Sequence, residues 1–115
     1  MSGVTNYSTG RRYEYLIRND LEYNGYQCIR AAGSKGVADI IALKPNEVLL
    51  VQVKNTNPQL TPNDRAALLN LARITGALPL VAHKPLRKPI QYRQLTGPGP
   101  RDWEPWTADT VGAHP

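Results

Sequence analysis

Four polar side chains stand out because they lie within or beside apolar or amphipathic stretches of the chain: Glu14, Asp39, Gln52 and Lys54. Asp39 interrupts the apolar run at 37–43, while Gln52 lies in the run at 48–53 and Lys54 directly follows it. Alternate residues of a strand share one face, so Gln52 and Lys54 are expected to point the same way. If the two runs pair as a hairpin, Asp39 approaches Gln52.

These residue types together suit phosphodiester hydrolysis. A hard cation takes oxygen ligands, which two carboxylates and an amide carbonyl can supply. Such a cation lowers the pKa of a bound water and neutralises charge in the transition state. Lys54 can position or help deprotonate that water and offset the phosphate charge. Singly, each residue has a simpler interpretation, for example Glu14 as an exposed helix residue paired with Arg18 one turn away.

A helix and three strands are expected to position this set. Apolar residues at helical spacing predict a helix over residues 9–24, which Gly25 ends. Strands are predicted over 26–30, 37–43 and 48–53, with a hairpin turn at 44–46. The continuous apolar character of the third strand indicates a central position, covered on both faces.

The second half of the sequence predicts a helix and two further strands. Thr61 suits a helix cap, Pro62 the first helical position and Asp64 the positive helix end, and Gly76 ends the helix. Strands are expected over 78–82 and, as a last edge strand, over 90–95. The order predicts an α/β fold with a mixed sheet flanked by helices. We expect one domain over residues 1–96, followed by an irregular Gly/Pro-rich tail over 97–115.

Charge and composition favour a nucleic-acid partner. The chain has 115 residues, 14 Lys and Arg against 9 Asp and Glu, and a formal net charge of +5. The excess of basic groups lies in residues 1–96, since the tail at 97–115 has more acidic than basic groups. A basic body of this kind favours a polyanion such as nucleic acid. The single cysteine, Cys28, is interpreted as a core residue in a reducing compartment. With no long apolar segment and no signal-peptide pattern, a cytoplasmic protein is expected, in the host cytoplasm if virus-encoded.

Three segments together resemble a known nuclease family: the helix with Glu14, the stretch Arg30-Ala-Ala-Gly-Ser34-Lys-Gly-Val-Ala-Asp39, and Val51-Gln52-Val53-Lys54. They are similar to the archaeal-type Holliday-junction resolvases of the PD-(D/E)XK superfamily, over roughly residues 9–82. The resemblance implies a restriction-endonuclease-like fold and a homodimer. It also implies a Mg²⁺-dependent endodeoxyribonuclease that resolves a four-way DNA junction by two paired cuts. Mn²⁺ is a possible substitute for Mg²⁺.

The resemblance also implies roles for individual residues. Glu14, Asp39 and Gln52 would be metal ligands, Lys54 the catalytic lysine, and Ser34 a catalytic residue near the scissile phosphate. DNA contacts are expected from basic residues beside these positions and in the basic segment at 84–88, namely Arg11, Arg12, Arg30, Lys35, Arg87 and Lys88. The family usually has Glu where this chain has Gln52, so the site loses one negative charge and metal affinity should fall.

Two other functions remain open at this stage. The first is another nuclease of the same superfamily, acting in nicking, repair or restriction. The second is a non-catalytic DNA-binding module on a decayed nuclease fold, which Gln52 makes conceivable. His83 is interpreted as an exposed imidazole at a strand end, and Trp103 and Trp106 either pack back onto the body or a partner subunit or stay disordered.

Overall fold

The computed structural model describes residues 2–31 and 37–108, with side chains from residue 12 onward. Its elements, in chain order, are α1 (Ser2–Tyr23), β1 (Gln27–Arg30), β2 (Ile40–Lys44), β3 (Glu47–Val53), α2 (Pro62–Thr75), β4 (Leu78–His83), β5 (Gln91–Leu95) and β6 (Trp103–Trp106). The strands form one sheet in the order β1-β2-β3-β4-β5-β6. All neighbouring pairs are antiparallel except β3 and β4, which α2 connects as a parallel crossover.

Two hydrophobic clusters cover the two faces of this sheet. One joins α1 to side chains of β2, β3, β4 and β5, including Ile17, Leu21, Val51 and Leu80. The other joins α2 to the opposite face, including Leu50, Leu68, Ala72 and Val81. Alternating residues of β3 therefore enter different clusters, which confirms the prediction of a central strand covered on both sides.

The end of α1 is a Schellman motif. Gly25 has φ 96 and is in the left-handed region. Its N–H donates to the Glu22 carbonyl, and the Tyr26 N–H donates to the Leu21 carbonyl, both at 3.0 Å. The helix ends where the sequence predicted, but it begins at Ser2 and not at residue 9. Each residue added to a helix already nucleated by packing gains one backbone hydrogen bond, so the polar lead-in continues the helix.

Both predicted ends of α2 are confirmed. The Thr61 hydroxyl accepts a hydrogen bond from the Asp64 N–H at 3.1 Å, and Pro62 occupies the start of the helix. Gly76 has φ 77 and donates its N–H to the Ala72 carbonyl at 2.8 Å. Because α2 leaves β3 and returns to β4, this capped helix sets the parallel pairing of the two central strands.

The expectation of an irregular tail over residues 97–115 is wrong for Trp103–Trp106, which pair with β5 as a sixth strand. Trp106 packs edge-on against Tyr92 with ring centroids 5.2 Å apart, and the Arg93 guanidinium lies 3.8 Å from the centroid of the Trp103 ring. Aromatic packing on both faces overrides the weak strand signal of this segment. Consequently β5 is an interior strand, not the edge strand that the sequence predicted.

His83 is also placed differently from its prediction. Its side chain is only 4% exposed, because β4 is an interior strand with β3 and β5 on either side. Among the described residues, neither ring nitrogen makes a hydrogen bond of standard geometry. Burial, and secondarily Arg93, lower the pKa of His83, and the nearby Thr56 backbone only partly offsets this. The imidazole is therefore a neutral buried group near neutral pH.

Candidate active site

The hairpin of β2 and β3 brings Asp39 opposite Gln52. Ile40 pairs with Val51, so the preceding residue of one strand faces the following residue of the other. The predicted approach of these two residues is therefore confirmed. Asp39 lies one residue before β2, yet its backbone continues the ladder: its N–H donates to the Val51 carbonyl at 2.8 Å, and its carbonyl accepts from the Ala31 N–H at 2.9 Å.

The Asp39 carboxylate is fixed by a backbone donor and surrounded by charges. Its Oδ2 accepts a hydrogen bond from the Val53 N–H at 2.8 Å. Burial is the main cause that raises the pKa of Asp39, and the Glu14 carboxylate raises it further. The Val53 N–H, Lys54 and Arg30 lower the pKa without cancelling the increase. Asp39 therefore lies at a point on which one further carboxylate and two cationic side chains converge.

Glu14 reaches this point from α1 and pairs with a residue distant in sequence. Its Oε1 accepts from Arg30 Nε at 2.6 Å, with the Glu14 side chain 23% exposed. The simpler pairing of Glu14 with Arg18 is contradicted, since Arg18 pairs with Glu22 at 3.3 Å. The ion pair between α1 and β1 holds Glu14 towards the strand ends, where Asp39 lies.

Gln52 and Lys54 complete the cluster from the end of β3. Gln52 is 7% exposed, and its Nε2 donates to the Val37 carbonyl at 3.2 Å. That bond identifies the opposite amide atom, Oε1, as the potential ligand atom. The Lys54 N–H donates to the Ala82 carbonyl at 2.8 Å, so the parallel ladder continues to the lysine and fixes its backbone.

The donor set fits a hard divalent cation. Two carboxylates and one amide oxygen converge, and such cations complete their shell with water or substrate phosphate oxygens. Among the described residues there is no group of three or more His, Cys, Asp and Glu side chains that could hold a metal. A three-ligand site in this part of the chain therefore depends on the Gln52 oxygen.

A cavity of about 480 Å³ opens beside Glu14, and its lining residues are Arg12, Glu14, Tyr15, Arg18, Arg30 and Ile40. Arg12 and Arg30 were predicted DNA contacts, whereas sequence reasoning missed Tyr15 and Arg18. The sequence signal for Tyr15 is its position outside the apolar stripe of α1, and in the structure its side chain is 60% exposed.

The remaining predicted site residues lie partly outside this cluster. Arg87 and Lys88 are exposed in the turn after β4, and that turn is tied to the end of β3 by the Lys84 N–H, which donates to the Asn55 carbonyl at 3.0 Å. The turn is thus at the same sheet edge as Lys54. Ser34, Lys35 and the Arg11 side chain lie outside the described residues.

The mixed sheet with one helix on each face, and the polar cluster at one sheet edge, define an α/β domain of nuclease type. The family model of the archaeal Holliday junction resolvases (Hjc) matches residues 5–96, and the chain belongs to this family. β6 lies beyond the matched residues. Among the described residues, no helix is long and apolar enough to span a membrane.

Two relatives illustrate the similarity. The chain is 35% identical, over 81 residues, to the crossover junction endodeoxyribonuclease Hjc of Methanocaldococcus jannaschii; the match covers 68% of this chain and 60% of that protein. Its fold is similar to that of Archaeoglobus fulgidus Hjc, a Holliday junction resolvase from an archaeal hyperthermophile. That similarity has a TM-score of 0.63 at 28% identity and covers 72% of this chain and 70% of the other.

Proposed function

We propose that this chain is a metal-dependent endonuclease that resolves four-way DNA junctions by paired phosphodiester cuts. The observation that carries the proposal is the convergence of Glu14, Asp39, Gln52 and Lys54 at one sheet edge. The proposal is supported by membership of a resolvase family and by the chemistry of the donor set. The matched relative from Methanocaldococcus jannaschii is longer, so its activity is carried to this chain as part of the proposal.

Each residue of the cluster has a distinct role in this proposal. Asp39, Glu14 and the Gln52 oxygen would hold a divalent cation; we propose Mg²⁺, with Mn²⁺ as a possible substitute. When bound, the cation supplies Lewis acidity and positive charge at the scissile phosphate. The Lys54 amine holds the attacking water by a hydrogen bond and offsets phosphate charge. The Arg30 guanidinium orients Glu14 through their 2.6 Å contact.

In this proposal, contacts to the DNA backbone account for the selection of DNA by its shape and not by its base sequence. Arg12, Arg30, Arg87 and Lys88 lie along one edge of the sheet, and cationic contacts to phosphates position a protein without reading bases. β1, which ends at Arg30, and β4, which precedes Arg87 and Lys88, are three strand spacings apart, roughly 14 Å, so these contacts would extend over more than one nucleotide. Two symmetric cuts need two active sites, and we propose that a two-fold homodimer supplies them.

One observation favours a second candidate function, a DNA-binding module without catalysis. The Gln52 side chain is a neutral amide at a position where a carboxylate would bind a cation more strongly. Its Nε2 donates a hydrogen bond to the Val37 carbonyl. In that case the chain would bind branched DNA without cutting it in either Mg²⁺ or Mn²⁺. The two functions differ only in whether phosphodiester bonds break.

The Asp39→Asn variant tests the proposed catalytic site. Asparagine keeps an oxygen that can accept the Val53 N–H, so the fold should persist, while the charge that holds the cation is lost. We expect unchanged affinity for a four-way junction and no cutting, measured by gel shift and gel cleavage. Glu104→Gln, an exposed change on β6, is the matched control and should cut normally. Cutting by Asp39→Asn would refute the assignment.

A further inference from the structure

The cavity beside Glu14 carries more positive than negative charge. Three guanidinium groups, from Arg12, Arg18 and Arg30, line it against one carboxylate, that of Glu14. Arg30 is paired with this carboxylate, and Arg18 is paired with Glu22, which does not line the cavity. Such a wall attracts an anion, and a phosphodiester is the anion that the proposed function brings to this edge.

Arg18 is placed to exchange its partner. Its ion pair with Glu22 is 3.3 Å long, and both side chains are about two-fifths exposed, at 43% and 41%. Exposed pairs of this type, four residues apart on a helix, contribute little to stability. A phosphate in the cavity would therefore compete readily with Glu22 for the Arg18 guanidinium.

Tyr15 gives the same cavity an aromatic surface. Its side chain is 60% exposed, although it lies next to Glu14 and between two arginines of the wall. The core on this side of the sheet is built from other residues of α1, such as Ile17 and Leu21. An exposed ring among cations is the arrangement by which proteins stack on unpaired bases while they bind the nucleic-acid backbone.

We infer that this cavity binds one unstacked nucleotide of the DNA strand, with its base on the Tyr15 ring and its phosphates on Arg12 and Arg18. The inference rests on the proposed function, because it assumes a DNA substrate at the neighbouring site. About 480 Å³ is within the range of pockets that hold small organic ligands. A base leaves its stack at lowest cost where pairing is already interrupted. The cavity therefore favours the branch point of a junction over linear duplex.

Stacking is tested with a four-way junction that carries 2-aminopurine at successive positions around the branch point. Binding is measured in EDTA, where cutting is suppressed, and a linear duplex with the same arm sequence is the control DNA. The protein variants are Tyr15→Ala, Tyr15→Phe and, as the matched control on the same helix, Tyr23→Ala. Tyr23 is 90% exposed and does not line the cavity.

We expect Tyr15→Ala to weaken junction binding by roughly 5- to 150-fold, the equivalent of one stacked base, and duplex binding much less. The 2-aminopurine emission at one branch-point position should change when the unmodified chain binds and change less with Tyr15→Ala, whereas Tyr15→Phe, which keeps the ring, should retain junction affinity. Tyr23→Ala should match the unmodified chain. Equal junction affinities for Tyr15→Ala and Tyr23→Ala would overturn the inference, and so would a loss of affinity in Tyr15→Phe as large as that in Tyr15→Ala.

The salt dependence of binding tests the phosphate contact. Arg18→Ala should reduce the slope of log affinity against log salt by about one, the effect of losing one phosphate contact. Arg73→Ala, on the opposite face of the sheet, should leave the slope unchanged; equal slopes for the two variants would contradict the contact.

These results separate the cavity from the catalytic proposal. If the unmodified chain binds junctions without cutting them, the proposed catalysis fails. The junction affinities of Tyr15→Ala and Tyr23→Ala then still test the inference about the cavity. If it cuts and Tyr15→Ala binds like Tyr23→Ala, the cavity inference alone fails. A chain that binds neither junction nor duplex overturns both.

Discussion

Exchange of Gln52 for glutamate tests whether this buried amide belongs to a metal site. Gln52 is 7% exposed and donates to the Val37 carbonyl at 3.2 Å. An ionised glutamate has no donor, so the Val37 carbonyl loses this partner. The new carboxylate also lies opposite Asp39, whose pKa is already raised by burial and by Glu14. Without metal, the substitution therefore adds negative charge where charge is already poorly solvated.

The expected magnitude follows from these contacts. Removing one partner from a buried polar group costs about 1–3 kcal/mol of unfolding free energy. In a domain of about this size, each kcal/mol lowers the unfolding midpoint by roughly 4–8 °C. A cation that binds only the folded chain stabilises it by about 2.7 kcal/mol at one hundred times its Kd. The added ligand charge should lower this Kd, so Gln52→Glu loses stability in EDTA and recovers it with cation.

Thermal unfolding measured in EDTA and across a MgCl₂ or MnCl₂ titration checks this prediction. Gln27→Glu is the matched control, since Gln27 is exposed on β1 at the opposite end of the sheet. It should change neither the midpoint in EDTA nor the cation response. The reasoning is refuted if Gln52→Glu is as stable as the unmodified chain in EDTA, or if cations stabilise both equally.

Three further predictions concern stability and reactivity. Trp106→Ala removes the ring that packs on Tyr92 and Tyr26 and should cost roughly 1–3 kcal/mol in urea unfolding; an unchanged midpoint would contradict the packing of β6. Because burial lowers the folded-state pKa of His83, the unfolded chain binds the proton first, and stability should fall as pH drops below about 6.5. His83→Gln should flatten this dependence in thermal unfolding from pH 7.5 to 5.5, and an identical slope would argue against it. Burial raises the pKa of the Cys28 thiol to about 11, so iodoacetamide at pH 8 should alkylate it more slowly than free cysteine; equal rates would be inconsistent with that pKa.

The elements with strong local signals could be predicted from the sequence. Thr61 and Gly76 delimit α2 by capping chemistry that involves only neighbouring residues. The two-residue turn at Pro45 and Asn46 sets the hairpin register, which in turn places Asp39 opposite Gln52. The core of the candidate site therefore follows from local turn geometry and the period of a strand.

The features that sequence reasoning missed depend on contacts between distant residues. Glu14 pairs with Arg30, sixteen residues away, and not with the neighbouring Arg18. β6 contains Pro105, which disfavours an interior strand but is tolerated at an edge, and it is held by packing against β5. The burial of His83 depends on the strand that follows it. None of these contacts leaves a periodic pattern in the chain.

The central claim is tested most directly by gel cleavage of an end-labelled four-way junction, beside a linear duplex of the same arm sequence, in Mg²⁺ and in Mn²⁺. The proposed site predicts two symmetric nicks in the junction, none in the duplex and none in EDTA. Tight binding of the junction without cutting in either cation would contradict catalysis and favour the DNA-binding module. Equal cutting of junction and duplex would contradict selectivity for four-way DNA.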